Sequence, residues 1–383
     1  MNFFDVLKGE IRLVFTDIAI VLTIIGGVLL YSFLYPQPYV KQSVSELSVS
    51  IVDLDKSDVS RSLSFSIDST PQISVNRHDL SKKDALEAIV SQEVKGVIII
   101  PAHFKRDLML GKSPTIVVGV DNSYFLIFGA VLEGAMKSIM TQSAGIKVVS
   151  LLKKSIPIQS AKKIYSPYTL NEINLFNKDN SYTQYVIPAV FILILQQTML
   201  IGLGILGGSI NERVSIGVRG YYNDAKVWQM ILSRVIIFGG IFFIHMMFYF
   251  GFSFSFFSVT HIANITNLVV FGIVFLSAVL ALGVFLGALF NTREIATPAV
   301  LFSSLPLVFS VGFIWPLEAI PEFVKVLSWL SPSTPAIDGF LKLNQMGAKL
   351  SLVIDNFELL LAQIVVYSVL AYIVIHHRVH KQS

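Results

Sequence analysis

The chain has 383 residues, a formal net charge of +4, no cysteine, and a composition that is 54% hydrophobic and 14% charged, with a mean hydropathy of +0.68. Soluble domains carry about 25% charged residues, so these values exclude an ordinary soluble domain and point to the bilayer. The missing cysteines exclude a disulfide framework, a thiol nucleophile and a thiolate metal site.

The chain opens on "MNFFDVLKGEIRLVFTD", which places Phe3, Phe4, Leu7, Ile11, Val14 and Phe15 on one helical face with Lys8 and Arg12 elsewhere. That pattern suits a helix lying in a membrane interface. A span needs about 20 mostly apolar residues, and uncharged gaps of that kind run over 18–40, 180–211, 235–292, 295–317 and 359–375. The third is too long for one crossing, and its middle, "FGFSFSFFSVTHIANITN", is polar enough to turn. Splitting it there gives six spans and puts both termini on one side. Asp17 abuts the first run, which is long and lacks a clean small-residue cleavage site, so it reads as an uncleaved anchor.

Segment 36–184 holds 17 basic and 14 acidic residues and reads as a soluble insert between the first two spans. "LSVSIVDLD", "PQISVNRH", "KGVIII" and "SPTIVVGVDNS" are strand-like. Between them, Ser57 caps a helix "DVSRSLSFSI", Ser81 and Asp84 form a capping box, and Pro101 opens a short helix that Gly111 closes. A long helix follows from about Tyr124 to Lys154, broken near Gly145. Alternating strands and helices predict an α/β domain with a mixed sheet.

Lys and Arg in the short loops set the orientation. Lys8, Arg12, Arg213, Arg219, Lys226, Arg293, Arg378 and Lys381 fall on one side, against Lys325, Lys342 and Lys349 on the other. Both termini and loop 207–229 are therefore expected in the cytoplasm, and the positive charge is topological, with no call for nucleic acid.

"VSIVDLDKSDVSRSL", "VKGVIIIPAHFKRDLMLGKSPTIVVGVDNS" and "YVIPAVFILILQQTMLIGLGILGGSINERVSIG", in this order and spacing, resemble the permease subunit of type 2 ABC exporters. The closer likeness is to the bacterial subgroup with a large extracytoplasmic domain between spans one and two. The resemblance implies a half-transporter of the bacterial cytoplasmic (inner) membrane that forms a homo- or heterodimer with a second permease subunit and recruits a separate ATP-binding subunit. ATP and Mg would sit on that subunit, with no cofactor in this chain. The cargo implied is hydrophobic or amphipathic, such as a drug or lipid, and a periplasmic membrane-fusion adaptor and outer-membrane channel are implied less directly. In the family's loop after span two an acidic and basic cluster precedes Gly-Thr; here Glu212 and Arg213 match, Gly217 matches, and Val218 stands where Thr is common.

The residues themselves hold no phosphate loop. The nearest fragment, "GKS" at Gly111 to Ser113, has Arg106 where the first Gly is needed. Energy must then enter through the cytoplasmic loops, the largest of which is "GGSINERVSIGVRGYYNDAKVWQ". Glu212, Arg213, Gly217, Arg219, Tyr221, Tyr222 and Lys226 are the candidate contacts to an ATP-binding partner, with the helix at 3–15 a second contact. The plainer alternative is a solvated positive loop with aromatic anchors.

Within the spans, Gln196, Gln197 and His245 are candidates for a substrate path or for ordinary interhelical hydrogen bonds. Gly283 and Gly287 form a G-x-x-x-G pattern that permits close helix packing. Arg234 is placed to snorkel. Segment 316–345 has prolines at 316, 321, 332 and 335; it forms re-entrant helices in the family resembled, or an interfacial loop anchored by Trp315 and Trp329. "RHD" at Arg77 to Asp79 and the tail His376, His377 and His380 give little support to catalysis or metal binding. A secondary transporter or channel independent of ATP is the rival, but the long third gap holds only histidine as an ionisable type and no internal repeat is visible. A sensor would need an output domain that the cytoplasmic segments are too short to supply. The fold class expected is a polytopic α-helical membrane protein with six transmembrane helices and an inserted α/β extracytoplasmic domain. Its parts would be 1–40, 41–184 and 185–383.

Overall fold

The computed structural model describes residues 1–39, 45–121, 125–165, 175–177, 181–315 and 317–380. Positions 40, 124, 180, 316 and 381 of the sequence reading lie outside them. Two compact units result: Met1–Gln42 with Asn174–Ser383, and Ser43–Ile173.

Helix α1 (Phe3–Thr16) turns Val6, Glu10 and Val14 inward and leaves Phe4, Ile11 and Phe15 exposed. Val14 thus departs from the single apolar face expected: the helix is clasped from one side by the helix Val227–Met247 and keeps a second apolar stripe facing outward. Asp17 then leaves the helical region and caps α2 (Ile18–Val21), accepting from the backbone N–H of Ala19 at 3.0 Å. A π-helical turn, Leu22–Gly27, leads into α3 (Val28–Leu34).

The second unit runs β1 (Leu47–Asp53), α4 (Asp58–Asp68), β2 (Ile73–His78), α5 (Lys82–Val90), β3 (Gly96–Ile100), α6 (Phe104–Met109), β4 (Val117–Val120), α7 (Phe125–Leu152) and α8 (Ile158–Tyr165). The sheet order is β2-β1-β3-β4, with β1 parallel to β2 and β3, and β4 antiparallel to β3. Helices cover both faces of the central strands: β3 is apolar on both, while β1 is apolar on one and sets Ser48 and Ser50 beside Val52 on the other. Val49, Ile51, Ile98 and Ile100 pack on Leu63, Ile67 and Phe104, while Val52 and Val97 meet Ala85. Ser57 accepts from Ser60 N at 3.1 Å and Ser81 from Asp84 N at 3.2 Å, each closing a helix start. Two expectations fail here. Pro101 does not open α6, since strand-like bonding persists to Ile100 and the chain turns through left-handed His103 (φ 64°) before Phe104. Helix α7 passes Gly145 unbroken: a glycine weakens a helix by about 1 kcal/mol but does not end one.

The first unit resumes with α9 (Thr183–Ser215), α10 (Tyr221–Asp224) and α11 (Val227–Met247), which continues through a π-helical turn, Phe248–Ser253, into α12 (Phe254–Phe256). Then come α13 (Ile265–Leu289), α14 (Ala296–Ser310), α15 (Glu322–Ser328), α16 (Ser333–Met346) and α17 (Ile354–His380). Among the described residues, five stretches are long and apolar enough to cross a membrane: Ile18–Tyr39, Thr183–Ser215, Val227–Phe256, Ile265–Leu289 and Leu350–Arg378. The span expected over 295–317 is instead the 15-residue α14, which is shorter than a crossing helix.

Helix α9 is the axis of this unit, with 94% of its most apolar window buried. Glycine makes that enclosure possible. A Cβ on Gly207 would lie 2.6 Å from the Cα of Gly287, and one on Gly283 would strike Leu203. The G-x-x-x-G pair of α13 therefore faces α9 of the same chain.

Candidate coupling site

The site is built at the end of the bundle where α9 and α11 are joined. Helix α9 reaches past the end of α13, where Asn211 Nδ2 donates to the carbonyls of Phe290 at 2.7 Å and Gly287 at 3.2 Å. Gly217, with φ 78°, turns the chain in a conformation that side chains resist, and Val218 N closes on Arg213 O at 2.9 Å. The Tyr222 hydroxyl donates to Val218 O at 2.9 Å, and Gly220 N donates to Asn223 Oδ1 at 2.8 Å. The loop is thus folded on itself.

Tyr222 is buried at 6% exposure, and the Tyr221 ring packs over Gly9 of α1, with its hydroxyl buried. Both tyrosines were expected at a partner surface; each instead turns inward, because the loop has an apolar underside to fill. Beneath them Glu10 accepts from Arg234 Nε at 3.2 Å, with the two side chains 0% and 5% exposed. Burial pushes the Glu10 carboxyl above its ordinary value; the charge and hydrogen bond of Arg234, and the Tyr221 hydroxyl, offset only part of this. Burial, then the nearby Glu10 charge, pushes the Tyr221 phenol up as well. Arg234 does not snorkel, since its partner lies inside. A second pair joins the same end, with Arg293 Nη1 2.9 Å from Asp17 Oδ2 and Nη2 3.0 Å from Oδ1.

The outward face is mixed, with charged side chains standing beside exposed Ile216 and Val218. Arg213, Gly217, Arg219 and Lys226 are exposed and Glu212 half-exposed, and among the described residues none of these four charged groups forms an ion pair. Trp228 is 52% exposed and stacks on Phe3 at 6.0 Å, which ties α1 to the start of α11. Sequence reading missed Glu10, the Asp17–Arg293 pair and the role of Asn211. The available signal was a carboxylate spaced four residues from both Val6 and Val14.

The three intramembrane polar residues separate. Gln196 is buried and bonds the start of α16: Nε2 donates to Ser331 Oγ at 2.8 Å and Ser333 Oγ at 3.1 Å, and Oε1 accepts from Ser333 N at 2.7 Å. Gln196 and Gln197 border a largely apolar cavity of about 620 Å³ between α9, α13, α14 and α15, with Leu282, Val300, Leu307 and Phe323 on its walls. His245 is elsewhere, edge-on to Phe242 at 5.6 Å, and does not line that cavity. Arg77, Asp79 and Glu93 in the second unit form an ion-pair cluster in which Ser50 also donates to Asp79, so "RHD" is a structural knot. There burial pushes the Asp79 carboxyl up, but the Arg77 and Ser50 hydrogen bonds and the Arg77 charge outweigh it and hold the carboxyl below its ordinary value.

Long apolar helices around a shielded axis, ending in a braced and charged loop, define a multi-pass membrane protein. Residues 18–373 match the family model of ABC-2 family transporter proteins, and the chain belongs to that family. It is accordingly an ABC-type permease that works with an ATP-binding subunit. No curated protein matches the chain in sequence.

Proposed function

We propose that this chain is the permease half of an ABC exporter and that loop 207–229 receives the motion of the ATP-binding subunit. The carrying observation is the loop's build: Glu212, Arg213, Arg219 and Lys226 stand outside, while the Tyr221 ring packs over Gly9 of α1, the neighbour of Glu10, whose carboxylate holds Arg234 of α11. ATP and Mg belong to the partner, and this chain contributes no hydrolytic site. In this reading the chain crosses the membrane six times. Support comes from its contacts: Gln229 bonds Met1 O, and Arg378 bonds Leu289 O, so both ends of the chain meet the loop end. Residue 344 is tied to Ile262 at the opposite end, so the stretch from α14 to α16 makes the sixth passage, with Ser331 and Ser333 dipping to Gln196 midway along α9. The loop end is cytoplasmic and the α/β unit extracytoplasmic.

The cargo is hydrophobic or amphipathic, in keeping with the apolar cavity beside Gln197, and moves outward across the cytoplasmic membrane through a dimer of permease chains. The α/β unit meets a periplasmic adaptor; exposed Leu80, Leu86 and Val90 offer it an apolar edge. Purification of the tagged chain from its host, with mass spectrometry of what accompanies it, tests the reading. A subunit bearing a phosphate loop, lost from the preparation on Glu212→Lys with Arg219→Glu, is the expected result. A chain that moves solute in liposomes without ATP would establish a secondary transporter instead.

A further inference from the structure

On the surface of the first unit, α11, α13 and α17 frame two adjoining hollows of opposite chemistry. At the loop end a polar hollow of about 420 Å³ is bordered by Arg219, Tyr222 and Asp224 of the loop, Arg234 of α11, and Ile375 and Arg378 of α17. Directly beside it, an apolar crevice of about 350 Å³ follows the same three helices toward the middle of the bundle. Val235 and Phe243 come from α11, Leu280 and Val284 from α13, and Ile364 and Ala371 from α17. The two hollows meet where Arg234 gives way to Val235, Gly287 to Val284 and Ile375 to Ala371. This face is distinct from the one that holds the cavity at Gln197.

The charge of the polar hollow is not balanced. Arg234 is answered by Glu10, and Asp224 stands on the rim against Arg219 and Arg378, neither of which forms an ion pair among the described residues. One positive charge is left over. Arg378 is also fixed in place, since its Nη2 donates to Leu289 O and Asn291 Oδ1, each at 3.0 Å. A basic hollow between helix ends that continues into an apolar crevice fits a molecule with an anionic head and a hydrocarbon tail. A free phosphate would leave the crevice unfilled, and a neutral lipid would leave the charge unanswered.

We propose that this groove holds a resident anionic phospholipid, its phosphate between Arg219 and Arg378 and one acyl chain in the crevice between α11, α13 and α17. Arg219 belongs to the loop and Arg378 to the last helix, so the bound lipid ties the loop to the bundle. The proposal holds for either direction of transport.

The test uses the full-length chain purified in a mild detergent, with native mass spectrometry and thermal unfolding in the presence of phosphatidylglycerol, phosphatidylcholine or inorganic phosphate. Phosphatidylglycerol should be retained and should raise the melting temperature, while phosphatidylcholine and phosphate at equal concentration do neither. Arg219→Gln, at an exposed site that folding does not need, and Ala281→Phe, which fills the crevice, should each weaken phosphatidylglycerol retention about tenfold, a difference of about 1.4 kcal/mol. Equal retention of both lipids, full stabilisation by phosphate alone, or wild-type retention in the two variants would overturn the proposal.

Discussion

Replacing Arg234 by alanine leaves the Glu10 carboxylate buried without its partner. Loss of one member of a buried pair typically costs about 3–5 kcal/mol, whereas replacing both by apolar residues is often neutral. We therefore expect Arg234→Ala to lower the melting temperature of the purified chain sharply and Glu10→Met with Arg234→Leu to recover most of it. Acidity adds a signed test. Burial raises the Glu10 carboxyl, so the folded chain holds that proton more tightly than the unfolded chain. Its contribution is fullest in acid and is lost as pH rises through the raised value. The melting temperature of Glu10→Gln relative to wild type should accordingly climb as pH rises from the ordinary carboxylate range through the raised value; a flat difference would contradict the assignment. Tyr222→Phe removes one hydrogen bond, worth about 1 kcal/mol. Among the described residues the Glu212 side chain has no ion-pair partner to lose, so the melting temperature of Glu212→Lys should stay put while cargo-stimulated ATP hydrolysis falls.

At the scale of elements, one substitution has opposite signs in two helices. Gly207→Ala drives a methyl onto the Gly287 backbone, which cannot yield, and should cost about 1–3 kcal/mol. Gly145→Ala meets nothing within 4 Å in α7 and should stabilise the α/β unit by up to about 1 kcal/mol. Thermal unfolding of both variants checks the pair. The strands of that unit were legible because turn residues and serine caps are local signals: Ser57 and Ser81 sit where the sequence places them. Helix ends in the membrane unit were less legible. Counting uncharged gaps starts the third span at 235, but Arg234 lies inside α11 because Glu10 neutralises it from a helix more than two hundred residues earlier. Tyr221 and Tyr222 misled for the same reason: an interface composition does not say which interface, and here it is internal. Pairing at that sequence distance leaves no mark on either segment alone.

For the whole molecule, two changes separate transport from assembly. Ser304→Trp places a large ring in the cavity beside Gln197, so export by cells should fall while the ATP-binding subunit still co-purifies. Deleting residues 45–155 should abolish export if the α/β unit meets an adaptor, and intact export would remove the adaptor from the scheme. The burial of α9 has one more consequence. Its 33 residues extend about 50 Å, and lipid touches almost none of the central stretch. Changes in bilayer thickness or tension therefore reach this helix only as a change in the grip of its neighbours. The part of the protein that ends at Glu212 and Arg213 feels its membrane second-hand, as pressure from surrounding helices.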